Sequence, residues 1–216
     1  CNSALGWSKE PRPRSRRADG LRPGHRLPAP EAFIFDLDGT LTIPHLDFDK
    51  IRRDMGISEG PILEQLECLD AEAAALARKA LERHEEKAAG TAVLQSGARR
   101  VLSELRRRHR PTAILTRNSR LSLDTVLELH QLEVDASLSR EEAAIKPSPE
   151  PVLLLCEKMG VDPAKTYVIG DYIFDIESAR NAGAVSVLLL NSKNSMLSEQ
   201  ADLKIANLVE ILDFPN

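Results

Sequence analysis

The amino-acid sequence predicts an α/β fold in which a parallel sheet is flanked by helices and a small all-helical insertion follows the first strand. Short apolar runs alternate with segments of helical periodicity between residues 32 and 190, and repeated strand–helix units of this kind build parallel sheets. Residues 47–90 interrupt the alternation with helical patterns alone. The 216 residues are enough for a hydrophobic core without disulfides or a structural metal.

The first strand is predicted at residues 32–35, a short apolar run typical of a buried parallel strand. In the insertion, apolar residues recur at helical spacing in two short segments. A helix rich in alanine, glutamate and lysine then covers residues 71–89 and ends at Gly90. We assign residues 44–92 to the insertion.

Strand–helix alternation resumes after the insertion, and each pattern has its own start or stop signal. Strands are predicted at residues 111–115, 134–138, 167–169 and 185–190. Helices are predicted at residues 96–108, 121–130, 149–159 and 176–182. Ser96 is the expected N-cap of the first of these helices. Residues 31–43 and 93–216 therefore form the predicted core.

Residues 1–30 differ from the rest of the chain in composition. They contain seven basic and two acidic residues and five of the thirteen prolines, so they bury too little apolar surface to offset the entropy of ordering. We predict a disordered basic tail. An Arg-rich, acid-poor start is also typical of organellar transit peptides, which stays open as an alternative to an inert tail.

Composition excludes several classes of protein. No apolar run approaches the roughly 20 residues that a membrane-spanning helix needs, and a net charge of −4 argues against a nucleic-acid-binding protein. Three widely separated cysteines form neither a disulfide framework nor a zinc motif and favour a reducing compartment. We expect a cytoplasmic monomer or weak homodimer, with organellar import as the alternative location.

Polar side chains follow several of the predicted strands, where each strand ends. They are Asp36 and Asp38, Thr116, Arg117 and Asn118, and Asp171 and Asp175. Lys146 joins them from the segment that precedes the helix predicted at residues 149–159. Ligand sites of open parallel sheets lie beyond the carboxyl ends of the strands. We therefore expect these side chains to meet in one site.

These residue types suit phosphoryl transfer. A carboxylate can attack phosphorus and form an aspartyl-phosphate, and a second carboxyl two residues later can protonate the leaving oxygen and then activate water. Crowded carboxylates repel one another, and a hard divalent cation offsets that repulsion. Carboxylate oxygens together with a phosphate are ligands that suit Mg²⁺. A hydroxyl and an ammonium group can hold the phosphoryl oxygens.

The sequence resembles haloacid dehalogenase superfamily hydrolases of the phosphoglycolate phosphatase-like branch over about residues 32–213. The first motif of that family is matched by residues 36–42 (DLDGTLT), the second by Thr116, the third by Lys146 and the fourth by residues 170–175. The resemblance implies a Rossmann-like core. It also implies that the insertion is a cap that closes over the site, excludes water and selects the substrate.

The resemblance further implies a Mg²⁺-dependent phosphatase that acts on a small phosphorylated metabolite through an aspartyl-phosphate. Asp36 would be the nucleophile and Asp38 the general acid and base. The implied metal ligands are Asp36, the backbone carbonyl of Asp38, Asp171 and Asp175. The implied phosphate ligands are Thr116 and Lys146, with Asn118 and the backbone around Arg117 as further contacts. For Asp175, a purely structural role as an N-cap of the helix at residues 176–182 stays open.

Three other functions remain open from the sequence. A phosphomutase of the same superfamily would share these motifs and differ in its cap contacts. A catalytically idle binding protein would normally have lost the nucleophile or a metal ligand, and a true dehalogenase would need neither Mg²⁺ nor the acid at Asp38. In the cap, we favour solvated positions over substrate contacts for His45, Arg52, Arg53, His84 and Lys87; Arg52 or Arg53 is preferred for an anionic substrate.

Overall fold

The computed structural model describes residues 27–57 and 60–215. The strands are β1 (Ala32–Phe35), β2 (Thr112–Leu115), β3 (Ala136–Leu138), β4 (Thr166–Gly170), β5 (Val185–Leu189) and β6 (Leu203–Ile205). They form one sheet in the order β3-β2-β1-β4-β5-β6, and every neighbouring pair is parallel. The predicted α/β fold class is confirmed.

The helices lie at or near the predicted positions. They are α1 (Phe48–Met55), α2 (Ile62–Leu66), α3 (Ala71–Gly90), α4 (Ala98–Arg107), α5 (Arg120–His130), α6 (Glu150–Met159) and α7 (Ile173–Ala182). Within the described residues, no helix is both long enough and apolar enough to cross a membrane.

Two helix starts differ from the prediction. Ser96 does not cap α4; the N-cap is Gly97, whose φ of 84° is the left-handed conformation that glycine tolerates. Helix α7 begins at Ile173 rather than at residue 176. Its N-cap is Tyr172, so Asp175 lies inside the first turn and not before the helix.

The sixth strand was not predicted. Strand β6 lies at the edge of the sheet and has only three residues, Leu203–Ile205, of which the middle one is Lys204. Such a short edge strand carries too little apolar periodicity to be recognised from sequence. The strand is instead held in place by its parallel pairing with β5.

Helices cover both faces of the sheet. Phe33 and Phe35 point to one face, where residues of α4 and α5 pack against them. Ile34 points to the other face and packs with residues of α6 and α7. This alternation along β1 follows from the two-residue period of a strand, and burial on both faces accounts for its uninterrupted apolar sequence.

Helices α1–α3 form a separate hydrophobic cluster around Ile51 and Leu81. Two chain segments connect this insertion to the sheet, and they pair with each other. Ile43 N donates to Val93 O at 2.8 Å, and Gln95 N donates to Leu41 O at 2.8 Å. These paired segments lie next to the predicted insertion boundaries at residues 44 and 92.

The predicted tail of residues 1–30 lies mostly outside the described residues, which begin at Leu27. Residues 27–30, however, contact the core: Leu27 packs against the main hydrophobic cluster, and Tyr167 Oη donates to Pro28 O at 2.9 Å. Residues 27–30 therefore belong with the core.

Among the residues that the structure describes, two ion pairs join the insertion to the core. Glu85 of α3 accepts from Arg140 Nη1 at 2.6 Å and from the backbone N of Ser119 at 3.3 Å. Glu64 of α2 pairs with Arg117 at 2.7 Å. Burial raises the pKa of Glu85 even though Arg140 faces it, so its charge depends strongly on that arginine.

We expect Arg140→Met to lower the free energy of unfolding by about 3 kcal/mol, because it leaves the 3%-exposed Glu85 side chain without its counter-ion. A carboxyl with a raised pKa binds its proton more tightly in the folded state, so the loss should be smaller at about pH 5 than at about pH 8. Urea unfolding at the two pH values measures this. Lys165→Met breaks the exposed pair with Glu31 and should cost less than about 1 kcal/mol; equal losses for the two variants would contradict the prediction.

Candidate active site

The predicted site residues converge on one cavity of about 570 Å³ at the carboxyl ends of β1, β2 and β4. They are Asp36, Asp38, Thr116, Arg117, Asn118, Lys146, Asp171 and Asp175. The opposite wall of the cavity comes from α1–α3 and the segment before them. Residues more than a hundred positions apart therefore meet because the sheet is parallel.

The eight predicted residues form one side of the cavity, which we call the polar wall. Within it, Lys146 contacts two of the carboxylates. Its ammonium group donates to Asp36 Oδ1 and Asp175 Oδ1, both at 2.6 Å, and to Leu115 O at 2.8 Å. Burial lowers the pKa of Lys146, but its pairing with Asp175 and Asp36 outweighs burial and raises the pKa to about 12. The lysine is therefore a fixed positive charge next to the two carboxylates.

Asp36, Asp171 and Asp175 form a cluster in which one ligand atom from each lies within 4.8 Å of the others. Burial, followed by the charge of Asp175, raises the pKa of Asp171 to about 7. Burial also raises the pKa of Asp36 well above its usual value. Three carboxylates with one lysine leave excess negative charge, and their oxygen ligands suit a hard divalent cation.

Two glycines make this close approach possible. Gly39 has a φ of 88°, and a Cβ at that position would collide with the carboxylate of Asp171. A Cβ at Gly170 would overlap Asp175. Glycine is thus required where the loops after β1 and β4 come together.

Asp38 does not belong to that three-carboxylate cluster. Its carboxylate accepts a hydrogen bond from Asn118 Nδ2 and another from Thr42 Oγ1 at 3.3 Å. Burial raises the pKa of Asp38, and the bond from Asn118 opposes the increase. Asn118 and Thr42 therefore hold the Asp38 carboxylate in place, and its charge contributes to raising the pKa of Asp171.

Thr116 and Asn118 belong to the loop after β2. Thr116 is buried, and its Oγ1 accepts from the backbone N of Asn118 at 3.1 Å. The side chain of Arg117 turns away from this loop toward the insertion. Its guanidinium binds both carboxylate oxygens of Glu64, donates to Lys146 O at 2.7 Å and lies 4.1 Å from the centre of the Phe174 ring.

The model of the haloacid dehalogenase-like hydrolase family matches residues 52–183, more than half of the chain. The chain belongs to this family.

The chain is also similar to individual hydrolases and phosphatases, and its fold matches that of a solved hydrolase structure. An uncharacterized hydrolase of Saccharomyces cerevisiae is 29% identical over 85% of this chain and 89% of its own length. A phosphoglycolate phosphatase of Chromobacterium violaceum is 25% identical over 85% of this chain and 95% of its own length. The crystal structure of a hydrolase from Pseudomonas syringae superposes with a TM-score of 0.72 at 21% identity, covering 85% of this chain and 96% of that one. The predictions of a hydrolase and of this family are confirmed.

Two asparagines outside the four haloacid dehalogenase motifs also contact the site. Asn191 Nδ2 donates to Asp171 Oδ2 at 3.1 Å, and Asn194 Nδ2 donates to Asp171 O at 2.8 Å. Sequence reasoning missed both. Asn191 lies just beyond the carboxyl end of β5, so the strand-end rule that identified the other residues could have found it.

The candidate cap contacts separate into two groups. His45 and Arg52 line the cavity, whereas Arg53, His84 and Lys87 do not. His84 instead pairs with Asp54 at 2.7 Å. Arg52 donates to Gly60 O at 3.3 Å and to Asp49 Oδ1 at 3.1 Å.

Proposed function

We propose that this protein is a Mg²⁺-dependent phosphatase that hydrolyses a small phosphorylated metabolite through an aspartyl-phosphate on Asp36. The observation that carries the proposal is the contact of Lys146 with both Asp36 and Asp175, beside Asp171. A positive charge next to a nucleophilic carboxylate and a cation-binding cluster is what transfer of a phosphoryl group requires. Phosphatases among the similar proteins support this class of reaction.

Substrate binding is assigned to the polar wall. Lys146 and the hydroxyl of Thr116 would bind the phosphoryl oxygens, with Asn118 and the backbone around Arg117 as further contacts. The side chain of Arg117 is engaged by Glu64 and Lys146 O, so its guanidinium is left out of the phosphate site. Helices α1–α3 would act as the cap over the leaving group.

In the first step, a carboxylate oxygen of Asp36 attacks phosphorus and the bond from phosphorus to the ester oxygen breaks. Asp38 gives its proton to the departing alkoxide, which leaves as the alcohol. The raised pKa of Asp38 fits a carboxyl that holds a proton for this purpose. Asn118 and Thr42 fix the orientation of that carboxyl.

In the second step, the ionised Asp38 takes a proton from water while the water oxygen attacks phosphorus. The bond between phosphorus and the Asp36 oxygen breaks, which releases inorganic phosphate and restores the carboxylate. Lys146 stays charged throughout, since its pKa is about 12. It therefore stabilises negative charge on the phosphoryl oxygens in both steps.

Asp36, Asp171 and Asp175 would hold Mg²⁺, with the backbone carbonyl of Asp38 as a further ligand. When bound, Mg²⁺ offsets the repulsion among these carboxylates and the incoming phosphate. The carboxylate cluster, with the raised pKa values of Asp36 and Asp171, fits that role.

Chelation tests the proposal directly. EDTA should stop the release of phosphate from a panel of phosphorylated metabolites, and added Mg²⁺ should restore it. Titration calorimetry should detect Mg²⁺ binding to the wild type and to Glu199→Gln, which removes an exposed carboxylate, and no binding to Asp171→Asn. A rate that chelation leaves unchanged would favour a metal-independent reaction, and isomerisation of a sugar phosphate without release of phosphate would favour a mutase.

A further inference from the structure

We propose that the preferred substrate is the phosphate ester of an apolar, uncharged alcohol. This inference rests on the proposed phosphatase function and adds the chemical class of the leaving group. It follows from the composition of the cavity beyond the polar wall, where the group attached to the phosphate would lie.

Aromatic side chains are concentrated at this cavity. The chain is only 4% aromatic. Among the described residues, four aromatic side chains belong to the core, namely Phe33, Phe35, Tyr167 and Phe214. The other three, Phe48, Tyr172 and Phe174, line the cavity.

Two of these three aromatic side chains are unusually exposed. Phe48 is 51% and Tyr172 is 55% exposed, and the ring of Tyr172 lies edge-on to Phe174 at 5.1 Å. Solvation of these rings contributes nothing to folding, and an apolar ligand placed among them would remove their apolar surface from water, which favours binding. Such a set of exposed apolar groups in a cavity marks a binding surface.

The insertion completes the apolar wall. Ile62 and Leu63 of α2 and Leu81 of α3 line the same cavity. They belong to the hydrophobic cluster of the insertion, so their positions are set by packing. A ligand group in the cavity would therefore contact both aliphatic side chains and aromatic rings.

The lysine and arginine side chains that line the cavity are already engaged by protein groups. Lys146 is held by Asp36 and Asp175, and Arg117 is held by Glu64 through both carboxylate oxygens. Arg52 is paired with Asp49, although this pair is more exposed. A second anionic group on the substrate would have to displace one of these carboxylates, compete with Thr91 for the exposed His45 ring, or lie unpaired against apolar side chains, which is costly.

Benzyl phosphate and 4-carboxybenzyl phosphate test this inference, since the two esters differ by one charge remote from the reacting bond. The kcat/KM for benzyl phosphate should exceed that for the carboxylated ester by about tenfold or more. Phosphoglycolate, which carries a carboxylate, should likewise be a poor substrate.

Two variants connect the preference to the cavity. Phe48→Arg places a cation at an exposed cavity position and should reduce or reverse the preference for benzyl phosphate. Leu76→Arg makes the same change on α3 at a 64%-exposed position that does not line the cavity, and it should leave the preference unchanged. Thermal melts confirm that both variants are folded.

Equal or better hydrolysis of the carboxylated ester would overturn the inference, and loss of that activity in Arg52→Gln would identify Arg52 as the group that binds the second anion. An equal shift in preference for Phe48→Arg and Leu76→Arg would also overturn it, because the effect would then be one of net charge.

Failure of the phosphatase function would give a different result. No phosphate would be released from either ester or from p-nitrophenyl phosphate, and both proposals would fall.

Discussion

Asp36→Asn is expected to abolish the release of phosphate while the protein stays folded. An amide cannot replace the attacking carboxylate, and removal of a catalytic nucleophile costs at least about 10⁴-fold in kcat. Lys146 would keep its contacts with Asp175 and Leu115 O. Burial already disfavours the charged form of Asp36 and raises its pKa, so a neutral side chain of the same shape should not lower the melting temperature.

Phosphate release and a thermal melt of the same preparation measure the two parts of this prediction. Asp124→Asn is the matched control, since it makes the same chemical change at a side chain that pairs with Arg120 outside the cavity. Mass spectrometry of rapidly quenched wild-type enzyme should detect a phosphorylated Asp36, which the variant should lack. Retained turnover in Asp36→Asn would end the covalent mechanism.

Asp38→Asn is expected to slow hydrolysis in a way that depends on the leaving group. The variant keeps the nucleophile, Lys146 and the carboxylate cluster, but it loses the proton donor for the departing alcohol. General acid–base groups typically contribute about 10²- to 10⁴-fold. The loss in phosphoryl transfer should therefore be large for an alkyl phosphate and much smaller for p-nitrophenyl phosphate, whose leaving group needs little protonation.

Single-turnover experiments separate this effect from the second step. Dephosphorylation still needs a base for water, so a phosphorylated Asp36 should accumulate in Asp38→Asn when p-nitrophenyl phosphate is the substrate. Asn118→Ala is an informative companion, because it leaves the carboxyl in place and removes one of its hydrogen bonds; we expect a smaller loss. If Asp38→Asn slowed good and poor leaving groups equally, Asp38 would have a structural role and not that of a general acid.

Much of the fold could be predicted from the sequence because its signals are local. A run such as Ala32–Phe35 is apolar throughout since helices bury both faces of the strand, and its two ends are visible in the chain itself. Ligand sites of parallel sheets lie beyond the carboxyl ends of the strands. Applied at the ends of β1, β2 and β4, this rule led to polar residues that line the cavity. Short elements with weak patterns escaped it: β6 was missed, and α7 begins three residues earlier than expected.

The roles of the site residues stay predictions. Although it missed Asn191 and Asn194, the sequence by itself identified eight of the side chains that line the cavity. Only the tertiary structure decided which of their charges remain available. Arg117 is paired with Glu64 across 53 residues of chain, and Arg140 with Glu85 across 55. The pattern of apolar residues along the sequence does not indicate such ion pairs, because they depend on how the insertion packs against the core. The gathering of Phe48, Tyr172 and Phe174 at one cavity has the same origin: each residue is unremarkable in its own segment, and the surface they form exists only after the chain has folded.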